Sequence, residues 1–288
     1  MADAVTDLLR LLDIEPDGHD TFIGRSPEIG WKRVYGGQVV AQAVVAAERT
    51  VDGTRPIHSL HGYFLRPGNP AEPILYTVDR YRDGRSFTTR GVLARQNGEI
   101  IFTMSASFHR FEQGLDHQLP MPDVPPPESL PADEELLRDA GRPISLSMQN
   151  YLTRDRPIEI RPVDTDNYIR PPTGAAARRD IWIKAKSPLS DVPAIHHSVF
   201  AYASDLTIIE TALLPHGRNL FDPDVMLASL DHAIWYHRPF RADEWLLYSQ
   251  DSPAAGGGRG FNRGLVFTRS GELVASVTQE AMMRLKPG

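Results

Sequence analysis

Two stretches of the chain repeat one another about 173 residues apart, and this constrains the fold more than any other feature. Asn97-Gly98-Glu99 is matched by Ser270-Gly271-Glu272, and Arg90-Gly91 by Arg263-Gly264, both at an offset of 173. Arg66-Pro67 is matched by Arg238-Pro239 at 172, and Arg85 and Phe87 by Arg259 and Phe261 after a one-residue slip. Dipeptides coincide often, but four landmarks in one order at nearly one offset indicate an internal duplication.

The repeated unit is one apolar helix followed by four strands. The helices are expected over 36–50 (GGQVVAQAVVAAERT) and 192–214 (VPAIHHSVFAYASDLTIIETALL). Both are apolar nearly all round, which predicts burial inside the domain. Strand-like runs follow at 57–67, 72–82, 85–96 and 99–110, and again at 227–239, 244–252, 259–269 and 272–284. Turn signals at Asp83-Gly84, Asn97-Gly98, the glycines 256–258 and Ser270-Gly271 separate them. Residues 120–131, PMPDVPPPESLP, are half proline and cannot supply the N–H groups a helix or sheet needs. The expected organisation is therefore a first repeat over 1–119, a Pro-rich linker over 120–157 and a second repeat over 158–288. Val5, Leu8, Leu9 and Leu12 recur at helical spacing, which predicts a short amphipathic helix at the start.

Composition narrows the function. The 288 residues include no cysteine, so disulfides, thiolate metal sites and cysteine nucleophiles are all excluded. A formal charge of −6 argues against a general nucleic-acid binder. No apolar run approaches the roughly 20 residues of a membrane span, and the acidic N-terminal stretch is not a secretory signal. A cytoplasmic protein is expected.

A long helix wrapped by an antiparallel sheet is the hotdog arrangement, and the chain resembles the acyl-CoA thioesterase II family, which fuses two such units. The resemblance spans nearly the whole chain. It rests on VYGGQVVAQA (34–43), HSLHGYFLRPG (58–68), AYASDL (201–206), DHAIWYHRPF (231–240) and VASVTQEAMMR (274–284). The sequence departs from the family pattern at three places: Ser229 replaces the usual threonine, Gln279-Glu280-Ala281 replaces Gln-Glu-Gly, and Ala201 replaces a glycine. The resemblance implies an α+β double hotdog that hydrolyses medium- or long-chain acyl-CoA to fatty acid and CoA. It implies no cofactor and an oligomeric assembly. It also implies a catalytic trio of Asp205, Ser229 and Gln279.

The residues can be weighed on their own. As a helical residue, Asp205 shares a face with Ala201, Tyr202, Ile208 and Ile209, where a carboxylate is costly unless hydrogen-bonded or shifted in pKa. Glu210 lies on the same expected helix and competes for the role. On a strand, Gln279 interrupts the apolar face of Leu273, Ala275, Val277, Ala281, Met283 and Leu285. Its counterpart in the first half is Ala106, and the first helix carries no acid from Gly36 to Ala47. One half has thus kept a polar site that the other lacks. The alternatives are an Asp satisfied by backbone donors, a Gln capping a bulge, and an ordinary strand serine. Thioester hydrolysis needs an aimed water, a base and donors for the developing oxyanion. Asp205 suits the base, while Ser229 and Gln279 suit the water or the charge.

Other candidates carry less. The adjacent His196 and His197 point about 100° apart on a helix and cannot readily chelate one metal. His58 could line a cleft or sit satisfied in the core. Asp164-Thr165-Asp166-Asn167 lacks the twelfth-position Glu of a calcium loop, where Ala175 stands. Arg66, Arg85, Arg90, Arg238, Arg259 and Arg263 border strand ends, where some could meet CoA phosphates. No GxSxG elbow is present, so a serine acyl-enzyme is disfavoured. Two other functions remain open: a hotdog enoyl-CoA hydratase or dehydratase, and a non-catalytic acyl-CoA-binding module.

Overall fold

The computed structural model describes residues 3–27, 32–138, 155–168, 171–220 and 222–286. The first half contains α1 (Ala4–Leu12), β1 (Glu15–Pro16), β2 (Thr21–Gly24), α2 (Gly36–Glu48), β3 (Ile57–Phe64), β4 (Ile74–Asp83), β5 (Phe87–Gln96) and β6 (Glu99–His109). A 3-10 turn (Pro127–Ser129) and α3 (Asp133–Arg138) follow. The second half contains β7 (Ile158–Pro162), β8 (Arg178–Ala185), α4 (Pro193–Ser204), β9 (Val225–Ser229), β10 (Asp231–Tyr236), β11 (Leu246–Gly256), β12 (Arg259–Thr268) and β13 (Leu273–Leu285).

Local chemistry accounts for α1 and α2. Asp3 caps α1 by accepting from the Thr6 N–H at 2.7 Å, and Val5, Leu8 and Leu12 turn inward. Helix α2 is built almost wholly of Gly, Ala, Val and Gln, and ten of its residues are buried. Small side chains let α4 approach closely: a Cβ on Gly37 would stand 2.6 Å from the Tyr202 carbonyl oxygen. The two helices pack against each other.

All strands join one antiparallel sheet in the order β1-β2-β4-β5-β6-β3-β10-β13-β12-β11-β8-β7, with β9 also on β13. The order reads the same from either edge, β1-β2-β4-β5-β6-β3 facing β7-β8-β11-β12-β13-β10. The halves meet where β3 pairs with β10, with Leu60 opposite Ile234. The duplication extends to single hydrogen bonds. The Arg66 N–H reaches the Ile101 carbonyl, and the Arg238 N–H reaches the Val274 carbonyl, each at 3.3–3.4 Å.

The ladders correct two sequence matches. Arg90 lies opposite Ala106, whereas Asn262 lies opposite Gln279. The counterpart of Arg90 is thus Asn262, 172 residues on, not Arg263. The same register pairs Phe87 with Arg259 rather than Phe261. The β12–β13 turn is one residue longer than the β5–β6 turn, which moves the offset from 172 to 173. A one-residue slip inverts the face of a strand. Arg90 is accordingly buried against Thr50, while Arg263 pairs with Asp251 in solvent.

Two elements are shorter than the sequence suggests. The helix expected to Leu214 ends at Ser204, and a 3-10 segment (Ile208–Leu213) follows. Buried side chains from the sheet hold that segment. Gln250 donates to Thr207 Oγ1 at 2.6 Å and accepts from Thr211 at 3.0 Å, and Asn262 Oδ1 accepts from the Ala212 N–H at 2.9 Å. These bonds replace the i→i−4 ladder. The strand expected over 227–239 is broken at Leu230. Ser229 pairs with Ala281 and Ala233 with Thr278, so three residues of one strand face two of the other, a β-bulge.

The Pro-rich segment lies along the second half of the sheet. Met121, Val124 and Leu130 pack on Trp182, Leu247 and Phe267, and the Trp182 indole donates to the Pro125 carbonyl at 2.9 Å. Residues 139–154 of the expected linker lie outside the described residues.

Candidate active site

Asp205 is the C-cap of α4, one residue past the helix end rather than within it. The antiparallel packing of the helices brings it to the N-terminus of α2. There the Gly37 N–H donates to its carboxylate, and a Cβ on Gly36 would stand 2.8 Å from Oδ2. A helix N-terminus carries partial positive charge and free N–H groups, so it favours an anion. Burial nevertheless dominates and pushes the Asp205 carboxyl up to about 6, against the opposing hydrogen bonds from Gln279 and Gly37.

Gln279 sits on the inner face of β13, fully buried, and its Nε2 donates to Asp205 Oδ1 at 2.6 Å. The same nitrogen lies 3.1 Å from His232 Nδ1, and His232 Nε2 lies 2.8 Å from Ser204 Oγ. Gln279 Oε1 has no hydrogen-bond partner among the described residues. His232 and Asp205 approach to 3.9 Å. They are not an ion pair, because burial drives the imidazole down to about 3 and keeps it neutral.

Ser229 stands opposite Ala281 and therefore shares the face of Gln279, two residues away on β13. The bulge at Leu230 brings Ser229 and His232 to that one face although they are three residues apart. The Ser229 hydroxyl makes no hydrogen bond to a described residue. It lines a cleft of about 340 Å³ together with Gly36, Val39, Phe64, Arg66 and Phe102. Gly36 thus joins the cleft to the carboxylate.

The structure gathers Asp205, Gln279 and Ser229 around the N-terminus of α2. It separates the competitors. Glu210 forms an ion pair with the buried Arg179 at 3.0 Å. His196 accepts from the Ala242 N–H at 3.1 Å, whereas His197 bonds Glu48 at 2.9 Å. His58 contacts Ser107 at 2.8 Å, away from the cleft lining. Gly257 and Gly258 form the β11–β12 turn with positive φ. Arg66 borders the cleft while bonding Glu99 at 2.9 Å.

Sequence reasoning passed over His232, Ser204 and the Gly36-Gly37 pair. One signal was available. His232, Ile234 and Tyr236 alternate on a buried face, so His232 interrupts an apolar row as Gln279 does.

The architecture has counterparts among solved structures. A hotdog-fold protein from Alicyclobacillus acidocaldarius superimposes with a TM-score of 0.77 at 19% identity, each chain covered fully (100%). The fold is a double hotdog of the α+β class. Residues 24–109 match the family described as acyl-CoA thioesterase N-terminal domain, and residues 150–282 match acyl-CoA thioesterase. Human acyl-coenzyme A thioesterase 8 is 40% identical over 96% of this chain and 88% of its own length. The acyl-CoA thioesterase II TesB2 of Mycobacterium marinum is 40% identical, with a TM-score of 0.80 and 98% of each chain covered. The chain belongs to the acyl-CoA thioesterase family.

Proposed function

We propose that this chain hydrolyses acyl-CoA thioesters through a water activated by Asp205. The observation that carries the reading is a buried carboxylate bonded by Gln279 at 2.6 Å, beside the glycine-lined helix N-terminus that borders the cleft. The raised carboxyl value brings this base close to neutral pH, where proton transfer is efficient. Gln279 Oε1 and the Ser229 hydroxyl hold the water. Its oxygen attacks the thioester carbonyl carbon as Asp205 takes one proton. The carbonyl electrons move onto oxygen, which faces backbone N–H groups at the start of α2. Collapse of the intermediate breaks the C–S bond, and the proton on Asp205 passes to the departing CoA sulfur.

Both N–H groups of the Gln279 amide are occupied, by Asp205 and by His232. The amide is therefore an acceptor for the water and not an oxyanion donor.

The proposal extends to medium- or long-chain acyl groups, for which the apolar cleft wall of Val39, Phe64 and Phe102 is suited. It also places the repeat boundaries at 119 and 158, in keeping with the mirrored strand order. Self-association is part of the reading, supported by Tyr63 and Trp235, which stand about half exposed on the central strands. So is a cytoplasmic location, with which a cysteine-free chain is compatible.

Thiol release from a series of acyl-CoA chain lengths tests the reaction. The chain contains no cysteine, so any thiol detected is CoA. Conversion of enoyl-CoA to hydroxyacyl-CoA without thiol release would overturn the proposal.

A further inference from the structure

We infer that His232 is a positioning residue that fixes the sense of the Gln279 amide, holding its nitrogen on Asp205 and leaving its oxygen to accept from the attacking water. The inference rests on the hydrolytic reading above and adds a residue to it.

The direction of the hydrogen-bond chain follows from counting protons. Ser204 has one hydroxyl proton and donates it to the Ala201 carbonyl at 3.0 Å. Toward His232 it can therefore only accept, so the proton at the 2.8 Å contact belongs to Nε2. A neutral imidazole protonated at Nε2 has a bare Nδ1, and that nitrogen accepts from Gln279 Nε2 at 3.1 Å. The second amide hydrogen goes to Asp205 Oδ1. The opposite sense would set the amide oxygen 2.6 Å from an ionised carboxylate, acceptor against acceptor.

Burial makes the arrangement rigid. His232 is wholly inaccessible and remains neutral at physiological pH, so no titration of its own reverses the chain. The first half shows what the fold requires without chemistry. There, the register positions of His232 and Gln279 are held by Leu60 and Ala106, which face each other across β3 and β6. One repeat carries the polar pair together and the other carries neither, as expected if the histidine serves the glutamine rather than the fold.

The tautomer can be read directly by 15N NMR of the imidazole in the resting protein. The expected spectrum at about pH 8, where Asp205 is ionised, has Nε2 protonated and Nδ1 bare. A proton on Nδ1 at that pH would overturn the assignment. Turnover of two variants then tests the role. His232→Leu installs the first-half residue and should lower kcat about 10²-fold with little change in KM, as a misplaced water would. His232→Asn returns a carbonyl oxygen near the position of Nδ1 and should recover most of that loss. Equal losses in the two variants, tracking their melting temperatures, would mean the histidine is only structural. The spectrum is independent of turnover. A wild-type protein that released no thiol would overturn the hydrolytic reading, while the amide sense would still be decided by the NMR.

Discussion

Gln279 and Asp205 are 74 positions apart in sequence, and the amide nitrogen of one lies 2.6 Å from the carboxylate oxygen of the other. The contact joins the middle of β13 to the C-cap of α4. It links the sheet to the buried acid.

Asp205→Asn preserves volume and removes the base. We expect kcat to fall by ~10²–10⁴, measured as thiol release at saturating acyl-CoA. Glu210→Gln is the control, because Glu210 is engaged by Arg179 and not by the site. Loss of turnover in the Glu210 variant with Asp205→Asn unaffected would reverse the roles.

The same acid predicts a pH dependence of both rate and stability. The kcat/KM profile should fall below about pH 6 as Asp205 takes up a proton, and Asp205→Asn should abolish that limb. For stability, the folded-state value of about 6 exceeds the ordinary 3.8, so the folded protein holds this proton more tightly than the unfolded chain. The resulting stabilisation is complete below the unfolded value and is lost as pH rises through the folded one. Its full size is roughly 3 kcal/mol. Asp205→Asn should therefore melt higher than wild type above about pH 6 and lose that advantage toward pH 4. Thermal unfolding of both proteins at pH 5 and pH 8 measures the difference, and a variant that melts below wild type at pH 8 would count against a buried, costly carboxylate.

Gln279→Ala should abolish most activity while the fold persists, because the first repeat already tolerates Ala106 at the matching position. Loss of a preorganised contact of this type costs ~10²–10³ in kcat. Ala106→Ser should be mild, since it faces Leu60 and Arg90 and the C-cap of α2 is Arg49 rather than an acid. Equal loss in the two variants at unchanged melting would contradict a single site.

The Ser229 hydroxyl lies in the cleft wall with no hydrogen bond to a described residue, so Ser229→Ala should lower kcat by ~10²–10³ without loss of stability. Ser229→Thr keeps the hydroxyl on a strand that suits β-branched residues. It should stay within a few-fold of wild type, the methyl being worth about 1 kcal/mol either way. Near-normal turnover in the alanine variant would remove Ser229 from the site.

Gly36→Ala places a methyl group 2.8 Å from Asp205 Oδ2 and 3.2 Å from the Phe64 ring. One of the two must move. Displacement of the base by this amount should cost about 10²-fold in kcat. An alanine variant with wild-type kinetics would show that the carboxylate does not work from the position it occupies.

The duplicated plan, the buried helices and the alternating strands were legible because each is a local periodicity. Gln279 was legible for the same reason, as a polar residue in an apolar row with Ala106 as its silent counterpart. Asp205 was legible as a costly acid on an apolar helix face, but its setting was not. The sequence 201–209 reads as continuous helix, and only Gln250 and Asn262, brought in from β11 and β12, draw the backbone at 207–212 out of it. The strands β2 and β8, short or flanked by irregular chain, gave no comparable signal.

What the sequence determined by itself was the fold class and that the second half has Gln279 where the first has Ala106, since the spacing of side chains along a helix or strand is set by its own backbone. The tertiary structure decided the site. The bulge at Leu230 shifts the strand by one residue and so turns Ser229 and His232 to one face, which alternation alone would set on opposite faces. The antiparallel packing of α2 on α4 delivers Asp205 to free N–H groups almost 170 residues earlier in the chain. Both depend on contacts between segments distant in sequence, and no local pattern records the geometry at which such segments meet.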